Sequence, residues 1–337
     1  MKHIVFCIND NWSIPAGVLI ESILHYNKDS QFVFHIISKN LSPKSLNYFT
    51  NIQKNNENIT INPIIINNSI IESLPIRKGD HVTIETYYRF LIPDLLDKSI
   101  DKALYLDCDI LCTNNIEQLF EIDISNYSCA MCPDGRYSDI EIFNRLEYPF
   151  ENGYFCAGVI LLNLNYWREY KVHYKCIEFL ENNGNLCLWH DQDAINKILN
   201  GTILYLHPKY DLATGFYYVK QYKNFQYSKE GPINLIVKKE LWNDLEEAII
   251  SPVFVHFTGQ IKPWHKSYYI KPFTLLWRYI YKQCTWTKFK LSKNSTSFLY
   301  KIKLFIKVLL RKTSRRIYSQ EIYNVEHKLL NDYKGLN

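Results

Sequence analysis

Two hydrophobic periods alternate along the first two-thirds of the chain. Residues 3–8 are an apolar run of strand length, closed at once by the polar triplet Asn9-Asp10-Asn11. From Pro15 to Tyr26 the positions Val18, Leu19, Ser22, Ile23 and Tyr26 recur at helical spacing. Gln31 to Ser38 reads as a second strand, and Ser42-Pro43 opens a helix with a capping hydroxyl and a proline at its first position. Ile59 to Ile66 is a third strand. This β-α-β-α-β order predicts an α/β chain whose first part is a Rossmann-like, nucleotide-binding half of an open sheet. Beyond it the pattern predicts a helix over 83–96 and a strand over 102–107. Strands over 128–132 and 155–164 and helices over 166–182 and about 190–200 follow. Ligands of such sheets bind outside the carboxyl ends of the strands. Asn9, Asn11, Asp107 and Asp109 all fall there. No Gly-x-Gly-x-x-Gly or P-loop is present, so phosphates must be held by a metal, lysine and backbone.

The run Ala103-Leu104-Tyr105-Leu106 ends in Asp107-Cys108-Asp109. Two carboxylates at the end of a buried strand carry a large desolvation cost. A divalent cation that takes hard oxygen ligands, Mg²⁺ or Mn²⁺, offsets it, and strand alternation would send both acids to one side. Far downstream, Val253-Phe254-Val255 is a short apolar strand leading into His256, Gly259, Lys262, Pro263 and His265. A neutral imidazole completes a two-aspartate site better for Mn²⁺ than for Ca²⁺. Gly259 allows close backbone approach to a ligand, and Lys262 offers a point positive charge to a phosphate. Taken singly, these motifs read as a solvated turn and a structural histidine. Together they point to a metal–diphosphate site.

Charge becomes informative when the chain is divided. Residues 1–247 hold 22 Lys/Arg against 31 Asp/Glu, whereas residues 248–337 hold 17 against 3. The overall +5 therefore conceals an acidic body and a strongly basic end, an asymmetry that points to an anionic partner. The character changes near Trp277, which divides the chain into a main domain over 1–276 and a helical, basic C-terminal region over 277–337. Lys288 to Arg316 contain no acidic residue. There Ile302, Phe305, Ile306, Leu309 and Leu310 share one helical face, and Lys303, Lys307 and Arg311 another. Such a helix suits the headgroup region of an anionic leaflet, so residues 286–316 are expected to meet a membrane surface. Docking of the apolar face onto the body is the second reading. RNA binding is the third, with no nucleic-acid module visible. The nine cysteines are scattered, and several of them (Cys7, Cys129, Cys132) lie in apolar runs, which favours buried, reduced thiols and a cytoplasmic address. The N-terminus reads as a strand rather than a signal peptide, and no apolar stretch reaches the about 20 residues that cross a bilayer.

With these residues assembled, the chain resembles the family 8 glycosyltransferases, in particular the bacterial lipopolysaccharide glucosyl- and galactosyltransferases. The likeness spans roughly residues 3–275. It is carried by Phe6 to Trp12, Tyr87-Tyr88-Arg89-Phe90, Leu104 to Asp109 and Phe155-Cys156-Ala157-Gly158-Val159 with Leu162-Asn163-Leu164 and Trp167. Asp191-Gln192-Asp193 and His256 to His265 complete it. The resemblance implies a GT-A fold with a mixed central sheet, and retaining transfer of glucose or galactose from a UDP-sugar to a lipid-linked glycan. It implies that Asp107, Asp109 and His256 bind Mn²⁺ between the two phosphates, and that Asn9 and Asn11 contact uridine. Cys108 would offer backbone near the ribose, and Gly259 and Lys262 would hold the diphosphate. Arg89, Cys156, Ala157 and Asp191 would lie around the donor sugar, with Gln192 nearest the reacting face.

At Gln192 an amide, a poor nucleophile, stands where a double displacement would need a carboxylate. That predicts front-face substitution, with a UDP oxygen helping to deprotonate the acceptor. Two positions depart from the family: Cys156 stands where asparagine is common, and a thiol lacks an amide's paired donor and acceptor. Asn9 stands where aspartate is frequent. A non-catalytic UDP-sugar-binding homologue with a decayed donor site is the alternative function, and a metal-dependent phosphohydrolase or nucleotidyltransferase a remoter one.

Overall fold

A computed structural model describes residues 1–67, 69–77, 82–216, 241–266, 272–284, 292–293 and 320–335 of the 337-residue chain. Its centre is a seven-stranded sheet. Strands β1 (Lys2–Cys7), β2 (Phe32–Ser38), β3 (Ile59–Ile65) and β4 (Lys102–Leu106) are parallel. The next in chain order, β5 (Ile110–Cys112), lies outside this sheet, whereas β6 (Cys129–Pro133), β7 (Phe155–Asn163) and β8 (Ile203–Tyr205) extend it. The order is β3-β2-β1-β4-β7-β6-β8, with β7 antiparallel to both β4 and β6. This is the α/β sheet that the alternating pattern predicts, mixed as the family resemblance implies.

The strands read as nearly unbroken apolar runs because each feeds two cores. In β1, Ile4 and Phe6 pack toward the helices Ser13–Tyr26 and Pro43–Lys54, against Leu19, Ile23 and Phe49. Val5 faces the opposite layer with Tyr87, Phe90 and Trp167. In β4, Leu104 and Leu106 join the first core, and Ala103 and Tyr105 the second. Ser42 caps the second helix, its hydroxyl accepting the Ser45 N–H, with Pro43 at the first position.

A smaller sheet joins distant parts of the chain. Strand β10 (Phe254–His256) pairs antiparallel with β5 and parallel with β9 (Leu212–Ala213). The strand before His256 is legible in the sequence. Its partners, three and two residues long, fall below the length at which periodicity speaks.

Three expectations change. Strand β4 ends at Leu106, so Asp107 and Asp109 meet through the turn linking β4 to β5 rather than by strand alternation. The helix expected over 166–182 is two helices, Leu164–Glu169 and Val172–Asn183, broken where Lys171 takes φ +50°. The segment 83–96 is a 3₁₀ helix over Ile84–Leu91 followed by one α-turn over Ile92–Leu95. There the Arg89 side chain draws the Thr86 carbonyl into a 2.9 Å hydrogen bond.

The expected boundary at 276/277 falls inside a helix, Thr274–Gln283, whose Leu276, Trp277 and Ile280 are wholly buried with Leu212, Val255 and Phe257. A helix over Gln320–Gly335 also returns to the body: Tyr333 stacks on His25 at 3.7 Å, and Glu326 accepts the Leu275 N–H. The amphipathic stretch through Ile302 and Leu310, and nearly all of the segment 286–316, lie outside the described residues. No described helix is long and apolar enough to cross a membrane. All nine cysteines are free, and seven are buried.

Candidate active site

The turn after β4 and the end of β10 converge. Asp107, Asp109 and His256 each offer an atom within 4.8 Å of the others. His256 Nε2 lies 3.3 Å from Asp109 Oδ1 and 3.9 Å from Asp107 Oδ2. The backbone fixes this approach: Asp107 N–H donates to Gly158 O at 2.8 Å, and Phe257 N–H to Asp109 O at 2.8 Å. Two hard carboxylates and one imidazole form a donor set suited to Mn²⁺ or Mg²⁺.

Each ligand candidate is held from behind. Arg89, 5% exposed, reaches Asp107 Oδ1 through Nη2 and Asp191 Oδ2 through Nη1, both at 3.0 Å. It also donates to Ala157 O at 2.6 Å and lies over the Tyr105 ring. Tyr105 donates its hydroxyl to Asp107 Oδ1 at 2.6 Å. Lys262 is ion-paired with Asp109 and donates to Phe257 O at 2.8 Å. On its far side His256 meets Asp211, with Nδ1 to Oδ1 at 2.8 Å, and the Cys156 thiol sulfur at 4.0 Å from the same nitrogen.

These neighbours set the protonation pattern. Burial alone would lower the His256 pKa, but Asp109 and Asp211 outweigh it and hold the imidazole well above its usual value. Burial would raise Asp109, yet Lys262 and His256 keep its carboxyl far below the carboxylate range. Asp107 goes the other way: burial, reinforced by the charge of Asp109, lifts it against the pull of Arg89. Burial and the charge of Asp211 push the Cys156 thiol up, so it stays protonated. Lys262 and His256 thus bring positive charge to Asp109, and Arg89 to Asp107.

Asp191 and Gln192 begin the helix His190–Leu199. Both Asp191 oxygens are engaged, one with Arg89 and one with the Thr86 hydroxyl at 2.6 Å. Gln192 is clamped as well: Oε1 accepts the Ala157 N–H at 3.0 Å and Nε2 donates to Asp134 Oδ2 at 3.1 Å. Asp193 serves the helix end, accepting the Trp189 N–H while paired with Arg145. Gly259 has φ +80°, and a Cβ built there meets nothing within 4 Å among the described residues. Cys108 is buried between the two acids. Asn9 and Asn11 stand past the end of β1, the Asn9 side chain accepting the Asn11 N–H at 3.1 Å; no contact joins them to the acids among the described residues.

Sequence reasoning missed Asp211, Asp134, Tyr105 and the contact role of Gly158. Asp134 follows strand β6 as Asp107 follows β4, the same strand-end signal. Asp211 stands between Tyr210 and Leu212 with no such cue.

The family described as glycosyl transferase family 8 matches the chain over residues 3–267. General stress protein A of Bacillus subtilis is 28% identical over 278 residues, which is 79% of this chain and 88% of that one. The lipopolysaccharide 1,3-galactosyltransferase of Salmonella typhimurium is 27% identical over 276 residues, covering 78% and 73%. Among solved structures, galactosyltransferase LgtC in complex with donor and acceptor sugar analogs superposes with a TM-score of 0.73 at 22% identity, over 85% of this chain and 98% of that one. A likeness at that identity carries the fold alone, which is of the GT-A type.

Proposed function

The chain belongs to glycosyl transferase family 8, and from that membership we propose that it transfers glucose or galactose from a UDP-sugar to a lipid-linked glycan, with retention at the anomeric carbon. The acceptor would be a lipopolysaccharide core or a related surface glycan, met at the inner face of the membrane with the basic segment 286–316 against anionic lipid. The observation that supports this reading most is the convergence of Asp107, Asp109 and His256 from two distant parts of the sequence.

Those three residues would hold the cation, Mn²⁺ before Mg²⁺. When bound, it supplies positive charge at the diphosphate that leaves with UDP. The chain's own groups do the rest. Lys262 carries a second positive charge beside Asp109, and Gly259 allows a phosphate to approach the backbone closely. Arg89 holds Asp107 and Asp191 in place. Gln192 presents a fixed amide rather than a carboxylate, and Asp191 spends both oxygens on Arg89 and Thr86. With neither group a free nucleophile, front-face substitution fits the site better than a covalent glycosyl-enzyme. The test is UDP release from UDP-glucose and UDP-galactose with and without Mn²⁺, using truncated lipopolysaccharide cores as acceptors and reading the linkage by NMR. Manganese-dependent release with an α-linked product is expected. Donor binding with no release on any acceptor would instead favour a non-catalytic homologue.

A further inference from the structure

We propose that Asp211 is a positioning residue of the cation site, holding the His256 ring so that Nε2 faces Asp107 and Asp109. This rests on reading those three residues as cation ligands.

The imidazole has two ends, one toward Asp107 and Asp109 and the other toward Asp211 and Cys156. Nε2 points at the acids, 3.3 Å from Asp109. Nδ1 points away, 2.8 Å from Asp211 Oδ1, and both side chains are buried. A carboxylate can only accept, so both nitrogens hold protons against the acids that face them; the shorter contact to Asp211 retains the Nδ1 proton, and the Nε2 proton is the one a cation between Asp107 and Asp109 would displace. A carboxylate behind a metal-binding histidine fixes both tautomer and ring orientation. The other ring neighbour, the Cys156 thiol, stays protonated and is a weak acceptor at 4.0 Å.

Asp211 is also badly placed for a purely structural role. Its side chain is wholly buried, yet Oδ2 has no hydrogen-bond partner among the described residues. An unpaired carboxylate oxygen in the interior costs stability, and an apolar side chain would serve packing better. The backbone nevertheless delivers it accurately. Asp211 N–H donates to Pro208 O, β9 follows at once with Leu212 opposite Val255 and Ala213 opposite His256, and Thr214 N–H donates to His256 O at 2.8 Å. Gly158 closes the remaining side of the ring, where a Cβ would stand 2.7 Å from Nδ1.

The experiment measures Mn²⁺ binding by calorimetry in the full chain and in Asp211→Ala, Asp211→Asn and Asp107→Ala. Loss of such a partner weakens metal binding about 10–100-fold, and that loss is expected for Asp211→Ala. Asp211→Asn retains a carbonyl acceptor and should stay near the wild type. In the Mg²⁺-loaded wild type, long-range ¹⁵N–¹H spectra should show the His256 proton on Nδ1, a readout that needs no variant to fold. Wild-type affinity in Asp211→Ala overturns the positioning role while the cation site stands; a proton found on Nε2 takes His256 out of the ligand set, and the role of Asp211 falls with it. Undiminished Mn²⁺ binding in Asp107→Ala overturns the cation site, and the role of Asp211 falls with it.

Discussion

Gly158 lies beneath the His256 ring so closely that a methyl group there would stand 2.4 Å from Cε1 and 2.7 Å from Nδ1. Neither side can yield easily, because the ring is pinned by Asp211 and by the β10 backbone. Gly158→Ala should therefore displace the imidazole. Overpacking of this kind costs about 1–3 kcal/mol, so the variant should fold with a lowered Tm. Its Mn²⁺ affinity should fall by about tenfold or more. Calorimetry beside a melting curve checks it; a large stability loss with unchanged affinity would mean the ring is not the element displaced.

Arg89 ties the turn after β4 to the helix that carries Gln192. Removing it strands Asp107 and Asp191 without a counter-charge in a buried setting, and breaking such a pair costs about 3–5 kcal/mol. Arg89→Met should lower unfolding stability by that order in urea titrations. Arg89→Lys should recover only part, since an ammonium cannot span both carboxylates as the guanidinium does.

The strands were legible wherever burial on two faces gave unbroken apolar runs, as in β1, β2 and β4. The ligand candidates were legible because acids that end an apolar run are chemically conspicuous. What stayed hidden depends on tertiary pairing. Strands β5 and β9 are too short to show a period, and Asp211 acquires meaning only when β9 lies beside β10. The break at Lys171 carries no glycine or proline. The carboxylate pair was expected to meet by strand alternation and meets through a turn, a different cause for the same neighbourhood.

Gln192 and Cys156 separate chemistry from recognition. Gln192→Ala removes an amide held between Ala157 and Asp134, and turnover should slow about 100–1000-fold, as for loss of a fixed dipole near developing charge. Complete loss with donor binding intact would call for an obligatory nucleophile. Cys156 faces the His256 ring rather than the deep core, so Cys156→Asn should change turnover or sugar preference. Identical kinetics with each UDP-sugar would show that the thiol is only filling space.

His25 supports the C-terminal helix by stacking on Tyr333, and burial, with help from Lys28, lowers its pKa to about 4. The ring is neutral in the fold, while the unfolded chain takes up a proton below pH about 6.5. Stability is therefore full above that value and falls as the pH drops toward 4. The change at pH 5 is about 1 kcal/mol once screening of a half-buried ring is counted. His35, also lowered to about 4 by burial and by His3, adds to the same slope. Melting curves at pH 7.5 and 5 should show the loss, and His25→Phe, which keeps the stack, should make it smaller.

The docking of Gln320–Gly335 decides how membrane contact must be tested. Cutting the chain near Trp286 would remove the basic segment, but also the helix that covers His25 and caps Thr274–Gln283 through Glu326. Such a truncation mixes two effects, since Tyr333 is itself buried against the body. Replacing residues 286–316 by a Gly/Ser linker keeps the docked helix and removes 10 Lys/Arg and no acid. If the segment binds anionic lipid at about 1 kcal/mol per basic residue near the surface, the replacement should abolish sedimentation with phosphatidylglycerol vesicles. Tm and Mn²⁺-dependent UDP release should stay at wild-type values. Undiminished vesicle binding would move the lipid contact elsewhere, and a fall in Tm equal to that of the truncation would mean that the segment packs on the body.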